Sequence, residues 1–166
     1  MYSPAPRQTL MSLPDGPAGI RDTLKLMKVL ANRGKTNGDI IAKGNELLMY
    51  VPPKQWFQQV KALWSFVKND IRYTRDVKEV ETLYYPEQTL AQRYGDCDDK
   101  SVLLASLLLA TGHPVRFVAV GFKPDDYSHV FPETLIGKIW VPLETTEPVD
   151  IGWSPPGVVS RMEIYA

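Results

Sequence analysis

The sequence is poor in the side chains from which disulfides and metal sites are built. Its 166 residues include one cysteine, Cys97, and two histidines, His113 and His129. A single cysteine excludes an intrachain disulfide and a multi-cysteine zinc site. If Cys97 has a chemical role that needs a base, only these two histidines can supply an imidazole.

An excess of either charge is also absent, as are long hydrophobic runs. Nineteen basic and nineteen acidic side chains give a formal net charge of zero, so no net field favours nucleic acid or anionic lipid. The longest run of apolar or small residues, 101–110, is too short to cross a bilayer. The N-terminus has no signal-peptide pattern. We therefore expect a soluble, intracellularly made, single-domain protein that binds neither nucleic acid nor membrane.

The N-terminal half of the chain indicates an arm followed by helices. Residues 1–19 contain four prolines and two glycines, a composition typical of an extended arm. Apolar residues recur at helical spacing in 20–31 and in the stretch 54–70, whereas glycines at 38 and 44 leave only a short helix over 46–50. A fourth helix, over 97–111, is apolar almost all round, which predicts a central, buried helix.

The C-terminal half indicates strands. The alternating segment 115–122 is followed by strands at 128–133 and 136–144, joined through Thr134 and Leu135, and by one last short strand at 158–164. Helices first and strands afterwards predict an α+β fold, in which the central helix packs on an antiparallel sheet.

The single thiol lies at a helix start, in the segment Gly95-Asp96-Cys97-Asp98-Asp99-Lys100. Free amide groups and the helix dipole lower the pKa of a cysteine there and make it nucleophilic. The neighbouring aspartates act in the opposite direction. The sequence leaves this balance open, and an inert buried thiol is the alternative interpretation.

Position in the chain suggests candidates for a base and an acid. His113 follows the far end of the central helix, roughly 20 Å from Cys97 at 1.5 Å per residue, and is expected to be a helix cap or surface residue. His129 begins a strand that can face the helix start. Glu144, at the end of the next strand, is the candidate to orient His129, although an ordinary exposed carboxylate is the alternative. Cysteine, histidine and carboxylate together form a generalised catalytic triad.

Three segments in this order resemble the transglutaminase-like cysteine peptidase superfamily: Gly95 to Asp99, Ser128 to Val130, and Trp140 to Thr146. The resemblance covers residues 20–156 and is similar in particular to short stand-alone versions from tailed bacteriophages and prophages. It leaves residues 1–19 as an arm and 157–166 as a C-terminal tail. It implies a papain-like α+β core with the nucleophile on the central helix and the histidine and acid on adjacent strands.

Carried over residue by residue, the resemblance implies that Cys97 is the nucleophile, His129 the general base and acid, and Glu144 the residue that orients it. Aspartate is usual at this third position, and Glu147 is a second candidate for it. The implied reaction is attack on an amide carbonyl with loss of an amine, followed by hydrolysis or cross-linking. The backbone N–H of Cys97 would hold part of the oxyanion. Gln88 and Gln92 are the side-chain candidates for the same role.

The resemblance further implies a protein made in a bacterial cytoplasm, with hydrolysis of a peptide or amide substrate as the expected activity and no cofactor. Calcium held by Asp96, Asp98 and Asp99 is an alternative, since carboxylate oxygens are the ligands that calcium prefers. A different class of function is structural: a virion or tail component that uses the fold as a docking module. Its arm would then contact other phage structural proteins.

Overall fold

The computed structural model describes residues 8–10, 16–75 and 82–166. The helices are α1 (Gly16–Gly34), α2 (Gly38–Leu48), α3 (Trp56–Asp70), α4 (Pro86–Gln92) and α5 (Cys97–Ala110). The strands are β1 (Gln8–Leu10), β2 (Arg72–Tyr73), β3 (Thr82–Tyr84), β4 (Tyr94–Gly95), β5 (Val115–Gly121), β6 (His129–Ile136), β7 (Ile139–Pro142) and β8 (Ser160–Tyr165). In this described part of the chain, no helix is long and apolar enough to span a membrane.

The main sheet has the strand order β7-β6-β5-β8 and is antiparallel throughout. Two small sheets flank the start of α5: β1 pairs with β3 antiparallel, and β2 pairs with β4 in parallel. The predicted α+β class with an antiparallel sheet is confirmed. The turn between β6 and β7 lies at Gly137 and Lys138 rather than at Thr134 and Leu135, because Gly137 supplies the positive φ of 64° that this turn needs.

Helix α5 is the centre of the molecule, as its apolar sequence predicts. Ten of its residues, from Asp99 to Leu108, are buried. It packs against α1, α2, α3 and α4 and against strand β6. The helix ends at Ala110, because Gly112 adopts a φ of 89° and Pro114 cannot continue the helix. This packing fixes the N-terminal end of α5, where Cys97 lies, against β6.

Two helices differ from the sequence expectation. Helix α2 runs over Gly38–Leu48 instead of 46–50, since the side chain of Asn37 accepts hydrogen bonds from two backbone amides and caps its start. A Cβ at Gly44 would lie 3.1 Å from Thr111 Cγ2, so glycine here permits close packing on α5 rather than a break. Helix α4 was not predicted, and Pro86 opens it at the first turn, where proline is favoured.

The chain ends also differ from expectation. Helix α1 begins at Gly16, inside the predicted arm, and β1 pairs with β3. Residues 1–7 and 11–15 of that arm lie outside the described residues. Strand β8 lies inside the predicted tail, close to the short strand expected at 158–164, and pairs with β5 along its whole length. The division into arm, domain and tail stays a prediction.

Replacing Gly95 by alanine should destabilise the fold at the start of α5. A Cβ at Gly95 would lie 2.6 Å from Asp99 Cβ, an atom that cannot move without the helix backbone. Overpacking of this kind costs about 1–3 kcal/mol. Gly38→Ala is the matched control, because nothing lies within 4 Å of its Cβ position. Urea unfolding of both variants measures the difference, and equal midpoints would contradict the packing described for Gly95.

Candidate active site

The start of α5 is held by a reciprocal pair of aspartates. Asp96 is the N-cap, and its side chain accepts a hydrogen bond from Asp99 N at 3.0 Å, while Asp99 Oδ2 accepts one from Asp96 N at 3.1 Å. Asp99 Oδ1 accepts a further bond from Tyr84 N at 2.9 Å, which ties strand β3 to the helix. Burial, with the charge of Asp96, raises the pKa of Asp99. The residue after the cap, Cys97, therefore has a fixed position.

The Cys97 thiol is partly buried beside strand β6. It donates a hydrogen bond to Asp98 Oδ1 at 3.5 Å and is hydrogen-bonded by the backbone of Val130. Burial raises the pKa of the Cys97 thiol, and the charges of Asp98 and Asp96 raise it further. The opposing effects that the sequence left open thus favour the neutral thiol in the resting protein.

His129 and Glu144 form a hydrogen-bonded pair at the same edge of the sheet. His129 is the first residue of β6, and its Nε2 is bonded to Glu144 Oε2. The other carboxylate oxygen, Oε1, accepts bonds from Thr146 N at 2.7 Å and Thr146 Oγ1 at 2.8 Å. Glu144 is only 1% exposed, so the alternative of an ordinary exposed carboxylate is wrong, and its contact with His129 is compatible with the expected orienting role.

The pair shifts the proton affinity of both members. Burial alone would lower the pKa of His129, but the hydrogen bond to Glu144 and its charge act in the opposite direction. Together with the charges of Glu147 and Asp98 they outweigh burial and raise the pKa. Burial alone would raise the pKa of Glu144, but the bond to His129, its charge and the two Thr146 donors together lower it. The structure therefore favours an ionised carboxylate next to an imidazole that is more basic than usual.

The structure brings the three predicted residues to one place, the N-terminal end of α5 beside the start of β6. The backbone of Val130, which contacts the Cys97 sulfur, directly follows His129. His113 follows the opposite end of α5 from Cys97, as predicted, but it is buried rather than on the surface. Its Nε2 shares a hydrogen bond with Gln59 Oε1 at 3.0 Å, and its ring packs edge-on against Trp56.

The remaining predicted residues are used differently. Gln92 donates from Nε2 to Tyr94 O at 3.0 Å, and Gln88 Oε1 is buried without a hydrogen-bond partner within the described part of the chain. The carboxylates of Asp96 and Asp99 accept hydrogen bonds from backbone amides. The carboxylate of Asp98 accepts one from the Cys97 thiol. Over residues 16–75 and 82–166, no group of three or more histidine, cysteine or acidic side chains is arranged to hold a metal ion.

Three residues near the site were not predicted as functional. Tyr73 lies opposite Gly95 in the β2–β4 pairing, and burial raises the pKa of its phenol. Trp64 donates from Nε1 to Glu144 O at 2.7 Å. Lys100, the last residue of the segment that contains Cys97, is buried. Tyr73 and Lys100 line a cleft of about 420 Å³ together with Thr145 and Thr146.

Glu144→Gln should remove a pH-dependent part of the free energy of unfolding. The raised His129 pKa stabilises the fold fully below its ordinary value of 6.5, and this is lost as the pH rises through the folded pKa. The lowered Glu144 pKa stabilises the fold above its ordinary value of 4.5, and this is lost as the pH falls through the folded pKa. Wild type and variant should therefore differ most, by about 1.5–3 kcal/mol, in the window between these two values.

Urea unfolding of both proteins across the pH range measures this difference. Thr36→Ala, which removes a surface hydroxyl bonded to Arg33 O, is a control for substitutions that break an ordinary exposed hydrogen bond. A wild-type minus Glu144→Gln difference that stays constant with pH would show that the His129–Glu144 pair carries no linked proton.

Comparison with known proteins supports the assignment of a family. A family model of the transglutaminase-like superfamily matches residues 48–145, more than half of the chain, whereas curated protein sequences give no match. A candidate cysteine protease from Cytophaga hutchinsonii has a similar fold, with a TM-score of 0.55 at 19% identity over 75% of this chain and 42% of that one. A candidate protease from Parabacteroides distasonis has a TM-score of 0.58 at 16% identity over 75% of this chain and 26% of that one. The chain therefore spans less than half of either neighbour. Because the family model covers more than half of the chain, the chain belongs to the transglutaminase-like superfamily.

Proposed function

We propose that the chain is a thiol-dependent acyl-transfer enzyme, a cysteine peptidase or amidase. In this proposal Cys97 is the nucleophile, His129 the general base and acid, and Glu144 the residue that orients His129. The observation that carries it is the partly buried hydrogen bond between His129 and Glu144, which lies at the start of β6 beside the Cys97 thiol. The candidate proteases of similar fold support the reaction class.

The first step begins from a neutral thiol. Nε2 of His129 is committed to Glu144, which leaves Nδ1 to exchange a proton with Cys97. As the sulfur bonds to the amide carbonyl carbon, its proton moves to Nδ1, and the raised pKa of His129 favours this transfer. The imidazolium then gives the proton to the amide nitrogen while the C–N bond breaks. An amine leaves, and a thioester remains on Cys97.

The second step returns the enzyme to its starting state. His129 takes a proton from a water molecule as the water oxygen bonds to the thioester carbon. The S–C bond then breaks, and His129 returns the proton to sulfur. The products are a carboxylic acid and the free Cys97 thiol. An amine in place of water would give a cross-link instead. We propose hydrolysis as the principal reaction.

An oxyanion site is available at the start of α5. Cys97 is the first residue of the helix, so its backbone N–H belongs to the group of amides without an intrahelical acceptor. In the proposal this N–H donates to the developing oxyanion. Gln88 and Gln92 stay proposals for a second donor, although Gln92 is bonded to Tyr94 O in this state.

Glu144 suits the orienting role better than Glu147. Glu144 is buried and bonded through both carboxylate oxygens, whereas Glu147 is exposed. The hydroxyl and amide of Thr146 hold Oε1, so that Oε2 points at His129. These contacts explain how glutamate, one methylene longer than the usual aspartate, can take this position.

A second candidate function rests on the thiol itself. Because burial and two aspartates raise the pKa of Cys97, the resting thiol is a weak nucleophile without its base. A thiol that reacts slowly is what the docking-module alternative predicts, in which the chain would be a virion or tail component of a bacteriophage. We retain phage origin, manufacture in a bacterial cytoplasm and the absence of a cofactor as parts of the proposal.

Acylation by p-nitrophenyl acetate distinguishes the two functions. The enzyme should gain one acetyl group on Cys97, measured by intact mass, with release of nitrophenolate. Glu144→Gln should slow this step about 10²–10⁴-fold, because His129 loses the carboxylate that orients it. Glu144→Asp, which keeps a carboxylate and is the usual residue of the family, should retain part of the rate.

His113→Gln is the matched control, since His113 is the second histidine and lies beside Gln59 at the far end of α5. It should leave the acylation rate unchanged. Acetylation of Cys97 at equal rates in wild type, His129→Ala and Glu144→Gln would exclude the enzyme and favour the docking module.

A further inference from the structure

A lysine ammonium is buried one helical turn after Cys97. Lys100 is 2% exposed, although lysine is almost never buried unless it is paired. Its Nζ donates to Ile71 O and to Thr145 O, each at 2.9 Å, and approaches Lys68 O at 3.4 Å. The charge is thus compensated by three backbone carbonyl oxygens, which come from two separate segments of the chain.

Through these carbonyls, Lys100 connects the C-terminal end of helix α3 to the segment that carries Glu144. Lys68 and Ile71 lie at the C-terminal end of α3, where a cation is favoured by the helix dipole. Thr145 directly follows Glu144, and the carbonyl of Glu144 itself is bound by Trp64 from α3. Two consecutive carbonyls of the acid-bearing segment are therefore fixed by buried side chains.

The position of Lys100 on α5 links this segment to the nucleophile. Cys97 and Lys100 are three residues apart in one helix, so they lie on neighbouring turns and move together. The ammonium also attracts the Glu144 carboxylate, and this attraction opposes the lowering of the Lys100 pKa by burial. The same charge favours the ionised form of Glu144, which is the form that accepts a hydrogen bond from His129.

We propose that Lys100 is a positioning residue of the site: it fixes the Glu144–Thr146 segment relative to Cys97, so that the glutamate carboxylate is directed at His129. This inference rests on the proposed function and adds a role to a residue outside the triad. It requires that loss of Lys100 acts through Glu144 and has no separate effect on the reaction.

A double-mutant cycle tests this requirement. The acetylation rate of Cys97 by p-nitrophenyl acetate is measured in wild type, Lys100→Met, Glu144→Gln and the double variant. Lys100→Met should slow acetylation about 100-fold, since a displacement of about 1 Å in a reacting group has an effect of this size. In the Glu144→Gln background the same change should slow it by no more than about 2-fold, because the carboxylate it positions is already absent.

Lys68→Met is the matched control. Lys68 Nζ also donates to two carbonyls, Glu147 O and Val149 O at 2.6 Å each, but further along the loop from Glu144. It should change the acetylation rate far less than Lys100→Met. Circular dichroism verifies that each variant is folded. If Lys100→Met does not fold, Lys100→Gln takes its place in the cycle with the same expected result, because its amide is neutral and its side chain is one bond shorter than that of lysine.

The outcomes separate the inference from the function on which it rests. Equal slowing by Lys100→Met in both backgrounds, or an effect of Lys68→Met as large as that of Lys100→Met, would overturn the positioning role. Wild-type acetylation that is insensitive to Glu144→Gln would instead overturn the proposed function. Slowing that is confined to the background with Glu144 intact supports the positioning role.

Discussion

The buried carboxylate of Glu144 is the constraint on which this site depends. An ionised carboxylate is costly to bury unless its oxygens are hydrogen-bonded. Here Oε1 is bound twice by Thr146 and Oε2 by His129. The backbone carbonyls beside it are held by Trp64 and Lys100. The orientation of His129 is thus a consequence of satisfying the acid, and the acid in turn is fixed by the packing of α3 and α5 behind it.

The thiol and the imidazole both hold a proton more tightly than usual. Burial and the charges of Asp98 and Asp96 raise the pKa of Cys97, while the Glu144 hydrogen bond and charge raise that of His129 against the effect of burial. A resting thiolate–imidazolium pair is therefore not favoured. In the proposed reaction the thiol therefore starts neutral and gives its proton to His129 during attack on the substrate.

Much of this arrangement could be predicted from local patterns. The apolar sequence of α5 predicted the buried helix, and the order of motifs named His129 and Glu144 as candidates, whereas the Asp96 cap was not predicted. Helix α2 was missed because the Asn37 cap outweighs its glycines. The roles of Trp64 and Lys100 could not be found, because each binds carbonyls 29 to 80 residues away along the chain, and no local pattern encodes such contacts.

The most direct test of this account is an NMR titration of the two histidines in nitrogen-15-labelled protein, before and after alkylation of Cys97. His129 should titrate above its ordinary value of 6.5 because of Glu144, and His113 below it because of burial. Alkylation should move the His129 midpoint and leave that of His113 unchanged. A His129 midpoint at or below 6.5, or one that does not respond to alkylation, would contradict a Cys97–His129–Glu144 site.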